Sequence, residues 1–446
     1  MLLNYTICVI EVKNDKLVSL FTGVLLVVLG GLAFHAPLMV FMSSRFPDYS
    51  LIFKSWKEIL LAIEGILAVW LVIKYKMTKG LLKDRLFVLA VAYCSFGLVV
   101  GVISFKELDR FAAGMLIDFR YVVMFILMMI ATKLRPSMKG VVLRVTLVVA
   151  AVVMMFGVLQ VTILPKDVLT GIGYSEETIL PYMTIDENPD FVRINSTLRG
   201  PNVLGAYGIV VFLIVLASLA TSWKRENKKL LVGMGLFLLA SLACVWFSYS
   251  RAAILGLALG GFVLVLMSVW SDKKWRKRFF IGVTCVVIVG LGTLLLARDT
   301  DFVRNVVFHD NVEVSHVSSN AEHWGSLKSG VRLLGANPLG LGIGSSGSAS
   351  QYGGKMVVVE NQFLFVAHEL GWVGLVMFVV ILVLIFLRLL RNRDAISMAV
   401  LAGGVGLVVI GMVLPVFADE TVSMTWFGLA GTYCCIESVT RARLKK

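Results

Sequence analysis

The stretch Arg199-Gly-Pro-Asn-Val-Leu-Gly-Ala-Tyr-Gly-Ile-Val-Val-Phe-Leu-Ile-Val-Leu-Ala-Ser-Leu-Ala-Thr-Ser222 carries no acidic, basic or histidine side chain after Arg199. Basic residues return at Lys224, Arg225, Lys228 and Lys229. The apolar run 202–222 matches the roughly 20 residues needed to cross the hydrocarbon core of a bilayer. Lipid offers no partner to backbone N–H and C=O groups, so such a run must be helical. Pro201 fits the first turn of that helix, where an N–H would have no partner anyway. Working outward, similar runs occupy 17–41, 57–74, 85–105, 113–132, 141–163, 229–248, 251–270, 279–297, 362–388, 396–418 and 420–438, twelve spans in all.

Composition agrees. Of the 446 residues, 58% belong to the apolar and aromatic set and only 16% are charged, with a mean hydropathy of +0.88. A soluble domain has roughly 45–50% apolar residues with glycine included and about 25% charged ones. A soluble enzyme, a disordered chain and a disulfide scaffold are therefore excluded. The expected fold is all-α, a single polytopic membrane domain over 1–446. The net charge of +14 points to basic cytoplasmic loops, not to nucleic acid. The segment before the first span lacks the features of a cleaved signal peptide.

Every even loop is basic: Lys74 to Arg85, Lys133 to Lys139, Lys224 to Lys229, Lys273 to Arg278, Arg388 to Arg393, and the tail with Arg441, Arg443, Lys445 and Lys446. The odd loops are balanced or acidic. The positive-inside rule then places both termini in the cytoplasm. Two odd loops are long, 164–201 and 298–361, and both are expected outside, where function concentrates in long loops. No internal repeat supports an inverted-repeat transporter. Five of the six cysteines, Cys94, Cys244, Cys285, Cys434 and Cys435, lie in apolar runs and Cys8 lies near the start. No disulfide framework, metal site or cofactor is expected.

Several residues can bear chemistry. Arg199 sits at the outer start of the sixth span, where helix N–H groups and a guanidinium together suit phosphate; the alternative is an arginine reaching lipid headgroups. Arg251 starts a helix after the short turn Ser248-Tyr249-Ser250, against the helix dipole, and asks for an anion. Arg120 is either a third member of this basic group or a structural partner of Glu64, since intramembrane charges face the bundle interior. Asp118, two residues away, cannot face Arg120 on one helix. In the second long loop, Ser319-Asn-Ala-Glu322 reads as a capping box. Trp324, Leu327, Val331 and Leu334 follow at helical spacing, so an amphipathic helix is expected near 320–335 at the outer surface, with His323 and Arg332 on its polar flank. Pro338-Leu-Gly-Leu-Gly-Ile-Gly344-Ser-Ser-Gly347 is either a flexible turn or a segment that lets backbone N–H groups approach a ligand, and Gly342 and Gly344, with Arg332 on the preceding helix, are the substrate-binding candidates. Glu360 opens the tenth span, either as a favourable N-terminal charge or as a general base. His323 is the alternative base. Asp186, Glu187 and Asp190 read as a solvated acidic loop rather than a metal site.

Four of these segments, Arg199-Gly-Pro-Asn-Val-Leu-Gly, Ser250-Arg251-Ala-Ala, Asn337-Pro-Leu-Gly-Leu-Gly-Ile-Gly and Glu360-Asn-Gln-Phe-Leu with Glu369-Leu-Gly, resemble in order and spacing the O-antigen ligase and polymerase superfamily of bacterial membranes. The resemblance covers roughly 50–435. It implies a helical core similar to that of metal-independent C-type glycosyltransferases, with the site facing outward from the cytoplasmic membrane. It also implies undecaprenyl-pyrophosphate-linked glycans as substrates, with Arg199 and Arg251 as pyrophosphate ligands. Ligases of this superfamily have a histidine at the start of the tenth span, where this chain has Glu360. That departure favours a polymerase joining lipid-linked repeat units and leaves the base open between Glu360 and His323. The expected partners are the lipid-linked glycans, the bilayer and a chain-length regulator. A ligase acting on finished glycan and a secondary transporter are the competing readings; a transporter is expected to show broken helices and ionisable groups near mid-membrane.

Overall fold

The computed structural model describes residue 12 and residues 15–105, 107–185, 188–222, 227–300, 303, 319–354 and 356–435. Between 319 and 336 the side chains of residues 319–324, 326 and 329 lie outside the description. The described chain forms helices α1 (Lys16–Gly31), α2 (His35–Arg45), α3 (Ser50–Lys74), α4 (Thr78–Leu82), α5 (Arg85–Ile103), α6 (Leu108–Leu134), α7 (Met138–Thr162), α8 (Pro201–Ser222), α9 (Lys228–Phe247), α10 (Arg251–Val269), α11 (Lys273–Leu296), α12 (Ser319–Ala336), α13 (Gln362–Asn392), α14 (Ala395–Gly411) and α15 (Glu420–Tyr433). A small antiparallel hairpin, β1 (Met183–Ile185) and β2 (Asn188–Arg193), pairs Met183 with Arg193.

Each of the twelve apolar runs falls on a helix, and the all-α membrane architecture holds. Nine helices among the described residues are long and apolar enough to cross a bilayer. Short polar side chains cap many of them. Asp15, Asp84, Asn227, Ser250, Asp272, Asn361, Asp394 and Asp419 each accept first-turn N–H groups of the helix that follows, which satisfies donors that have no intrahelical partner.

Several boundaries differ from the sequence expectation. The second span begins earlier, at Ser50, because Lys54 interrupts the apolar count ahead of residue 57 while the helix continues through it. The fourth and ninth also begin earlier, at Leu108 and Lys273. The first run passes through a short 3-10 turn at Leu32–Phe34 into α2. The eleventh ends at Gly411, not 418; residues 412–419 form a connection with one 3-10 turn at Val416–Ala418. The basic tail and Cys8 lie outside the described residues.

The centre of the bundle is α6, α8, α14 and α15, and α15 is buried along its whole length. Helices α10 and α14 approach through glycines: a Cβ on Gly256 would lie 2.9 Å from Gly406 O, and one on Gly260 2.7 Å from Ala402 O. Close approach of this kind is how membrane helices associate without a hydrophobic driving force. Helix α11 has no buried residue and borders the bundle.

The basic loops meet at one end. Asp84, before α5, pairs with Lys133 at the end of α6 (3.2 Å) and with Arg388 near the end of α13. Lys74 of α3 pairs with Asp15 at 2.5 Å, and Arg135 donates to Ser19 Oγ at 2.8 Å. The second, fourth and tenth loops thus meet at one end, together with the start of α1. The turns at 193–200, 248–251, 338–347 and 411–419 lie at the helix ends opposite to these.

Candidate active site

The segment entering α8 is pinned from several sides. Ile194 N–H donates to Phe247 O (3.2 Å), Ser196 N–H to Gln160 Oε1 (2.7 Å) and Ser196 Oγ to Val153 O (2.6 Å). Arg193 bridges β2, α8 and the α9–α10 turn, donating to Asn202 Oδ1 at 2.7 Å and Ser248 O at 3.0 Å. That turn is tight: Tyr249 has φ 48°, Ser250 N–H donates to Ser248 Oγ, and Ser250 caps α10. Gly205 of α8 leaves room for it, since a Cβ there would meet Ala253 Cβ at 2.7 Å and Ser248 Oγ at 2.9 Å. Arg199, exposed just before α8, and Arg251, half-buried as the first residue of α10, are therefore carried on adjacent helix starts. Arg193 is the tie that sequence reading passed over; its side chain joins the two segments.

The connection 411–419 links this pair to Glu360. Asn361 Nδ2 donates to Met412 O (2.7 Å), and Phe417 N–H donates to Gln362 Oε1 (2.8 Å), so the start of α13 is fastened to it. Ile410 reaches to 3.2 Å of where a Cβ on Gly256 would stand, which brings the start of α10 to the same place. Asp419 at its end caps α15 through Thr421 and Val422 N–H. Burial and the neighbouring Glu420 push the Asp419 carboxyl up, and Arg199 and Arg120 act in the opposite sense. Glu360 is half-buried at the outset of α13.

Arg120 is placed differently from the expectation. It does not pair with Glu64; its guanidinium donates to Glu58 Oε1 (2.9 Å), Glu420 Oε2 (2.7 Å) and Ala418 O (2.6 Å) and is 6% exposed. Glu58 stands nearer this end of α3 than Glu64 does, which is why it takes the role. Lys57 joins the cluster, 3.2 Å from Glu58 and 3.1 Å from His35 Nε2. Trp56 Nε1–H donates to His35 Nδ1 at 3.0 Å. The charges compensate one another inside the protein, as buried charges must, and Arg120 holds the 411–419 connection through Ala418.

The glycine turn is also not the open nest expected from sequence. Helix α13 breaks at Gly371 (φ 66°, ψ −167°), and the break frees two carbonyls. His368 O accepts from Leu341 N–H (2.7 Å), Glu369 O from Gly342 N–H (3.1 Å), and Trp372 N–H turns to Pro338 O (3.1 Å). Gly344 N–H acts on the Asp118 carboxyl, and Gly344 O accepts from Arg110 Nε at 3.0 Å. Ser346 donates its N–H to Glu369 Oε1 (3.1 Å), and its Oγ lies 2.6 Å from His368 Nδ1. Gly342 and Gly344 are buried with their N–H groups used inside the protein. Their lack of a side chain serves close packing against α5 and α6. The broken helix anticipated for a transporter is present, but the chain's own turn fills it.

Helix α12 forms as expected over 319–336 and lays Gly330 and Leu334 on the first turns of α13, near Leu364. Val331, assigned to the apolar stripe from spacing, faces out at 57% exposure. Arg332 is exposed. The His323 and Trp324 side chains lie outside the described residues, as do Asp186 and Glu187 at the hairpin tip; Asp190 is exposed.

Residues 235–379 match the family model described as O-Antigen ligase. The match bears out the resemblance to the O-antigen ligase and polymerase superfamily and implies glycosyltransferase-type chemistry on membrane-borne glycans. It spans Arg251, Arg332, the glycine turn and Glu360, and stops short of Arg120 and Arg199. No curated protein matches the chain.

Proposed function

We propose that this chain, with an O-antigen ligase domain at 235–379, polymerises lipid-linked oligosaccharide repeat units at the outer face of the bacterial cytoplasmic membrane. The donor is the growing glycan on undecaprenyl pyrophosphate; the acceptor is a sugar hydroxyl of a new lipid-linked unit. The hydroxyl oxygen attacks the anomeric carbon while the bond to pyrophosphate breaks. The hydroxyl proton passes to Glu360, and the leaving electron pair stays on the lipid pyrophosphate. A single displacement inverts the anomeric centre.

The observation that carries this reading is the meeting of the starts of α8, α10 and α13 around the 411–419 connection, which brings the segments of Arg199, Arg251 and Glu360 to one end of the bundle. Arg199 and Arg251 are suited to the charge that grows on the departing pyrophosphate. Preorganised donors at such a position contribute about 3–4 kcal/mol each by analogy with oxyanion holes. A base on the acceptor adds about 10²–10⁴-fold. Arg120, engaged by Glu58 and Glu420, acts here as a positioning residue behind the site. Glu360 in place of the ligases' histidine favours the polymerase over the ligase.

Purified protein given lipid-linked repeat units is expected to yield a ladder of products, unchanged by chelator. Cells lacking the protein are expected to accumulate single lipid-linked repeats. Accumulation of long lipid-linked polymer would assign a ligase, and the absence of any new glycosidic bond would remove the enzyme.

A further inference from the structure

Two carboxyls, a buried Glu369 and a half-buried Asp118, take no part in the reaction above. Asp118 of α6 and Glu369 of α13 face each other side chain to side chain beneath the glycine turn. Ser346 N–H donates to Glu369 Oε1 at 3.1 Å, and the Gly344 N–H of the same turn acts on the Asp118 carboxyl. Glu369 is 2% exposed, and Asp118 Oδ2 is buried with no N–H or O–H of the protein donating to it. A carboxylate offers acceptors only. Two of them in contact repel, whereas a carboxylic acid against a carboxylate forms a short, strong hydrogen bond.

The surroundings are these. Arg110 acts on Glu369 and gives its Nε–H to Gly344 O. Arg120 acts on Asp118 and gives its donors to Glu58, Glu420 and Ala418. His368 contacts Ser345 and Ser346. Tyr93 of α5, with Tyr121 and Gln362, lines a cavity of about 10 Å³ beside the pair, room for about one water.

We propose that Asp118 and Glu369 hold one proton between them, and that this singly protonated pair is the clamp that positions the glycine turn 340–347. With one shared proton every oxygen facing the partner is satisfied, and each carboxyl keeps a lone pair for one N–H of the turn. Loss of that proton sets like charges against each other and releases the turn. The pair touches no reacting atom in the mechanism above and acts through the turn; only its effect on polymer growth rests on the transferase reading.

Hydrogen exchange of segment 340–347, followed by mass spectrometry on the full chain in detergent, tests it. In Glu369→Gln the amide N–H replaces the shared proton and the amide oxygen still accepts from Ser346, so protection is expected to equal that of the parent. Asp118→Asn is expected to do the same from the other side. Glu369→Ala is expected to exchange faster by about tenfold or more, the factor for a lost hydrogen bond to a charged group, while α8 stays protected. At alkaline pH the parent's segment is expected to gain exchange beyond the base-catalysed rise seen in the rest of the chain, and Glu369→Gln is not. Equal rates in Glu369→Gln and Glu369→Ala would refute the shared proton, and full protection in Glu369→Ala would refute the clamp. In the ladder assay Glu369→Gln is expected to retain polymer growth. If exchange behaves as described while the parent protein makes no polymer, the clamp stands and the transferase reading fails.

Discussion

Arg120 and the pair Arg199 and Arg251 stand at the same end of the bundle and differ in what surrounds them. Arg120 comes from the middle of α6, is 6% exposed, and meets two carboxylates and a carbonyl. Arg199 and Arg251 come from helix starts at the rim, one exposed and one half-buried. An arginine inside a membrane helix must bring its counter-ions with it, and the price is that its donors are committed before a ligand arrives. At the rim a guanidinium stands where an incoming phosphate can reach it, whereas that of Arg120 is enclosed. That difference in exposure is why the proposed pyrophosphate role is given to Arg199 and Arg251 and not to Arg120.

The largest expected effect that would sharpen this contrast is at the rim. Arg251→Ala is expected to abolish the polymer ladder, at least about 10²-fold per lost donor, with membrane abundance unchanged; normal polymer would take Arg251 out of the site. Glu360→Gln is expected to slow polymer growth by about 10²–10⁴-fold and to cost more than His323→Gln. The reverse ranking would move the base to His323. Arg120→Ala is expected to show itself in folding: it strands Glu58 and Glu420, a loss of about 3–5 kcal/mol for a broken buried pair, read as reduced abundance and a lowered melting temperature. A fully stable Arg120→Ala protein without activity would erase the distinction and return Arg120 to the pyrophosphate group.

The basic end gives a gentler prediction. Burial pushes the Asp84 carboxyl up, but Arg388 and Lys133 outweigh it and hold it below its ordinary value. A depressed carboxyl contributes stability above the unfolded value, near about 4, and loses it as acid protonates the folded form. Thermal stability of the parent protein is therefore expected to decline below about pH 4, and Asp84→Asn to flatten that decline while lowering stability at neutral pH. The smallest effect is expected for Arg332→Ala, an exposed residue on α12, whose polymer ladder should match the parent's.

Much of the architecture was legible because the bilayer enforces simple rules. Each of the twelve apolar runs fell on helix, although the first holds both α1 and α2 and the runs include neither α4 nor α12, and loop charge grouped the ends that Asp84, Lys133 and Arg388 tie together. The helix at 319–336 was readable from the helical spacing of its apolar residues, of which Leu334 is buried and Val331 is not. Charged positions resisted. The second span was started at 57 and not at Ser50 because Lys54 breaks the apolar run ahead of it, and Arg120 and His35, which hold Glu58 and Lys57 inside the bundle, are distant in sequence. Arg120 was left between the basic group and Glu64, and Glu58 was missed as its partner, because one-dimensional spacing cannot rank two carboxylates on a neighbouring helix. The glycine turn was read as a ligand nest because nothing local announces that α13 breaks at Gly371 and offers the carbonyls of His368 and Glu369. Asp118 and Glu369 were both in view as single residues; only the fold sets them face to face.

The packing of the glycine turn bears on how mutational maps of this protein should be interpreted. A methyl group at Gly342 would overlap Ser104 Oγ, one at Gly344 would fall 2.6 Å from Arg110 O, and one at Gly371 2.5 Å from Pro338 O. Saturation mutagenesis scored by loss of polymer would mark all three as intolerant, as firmly as Arg251. A tolerance map alone would then outline a reaction centre larger than the one that handles sugar. Separating vacant volume from chemistry needs a second score, such as protein yield, for each variant.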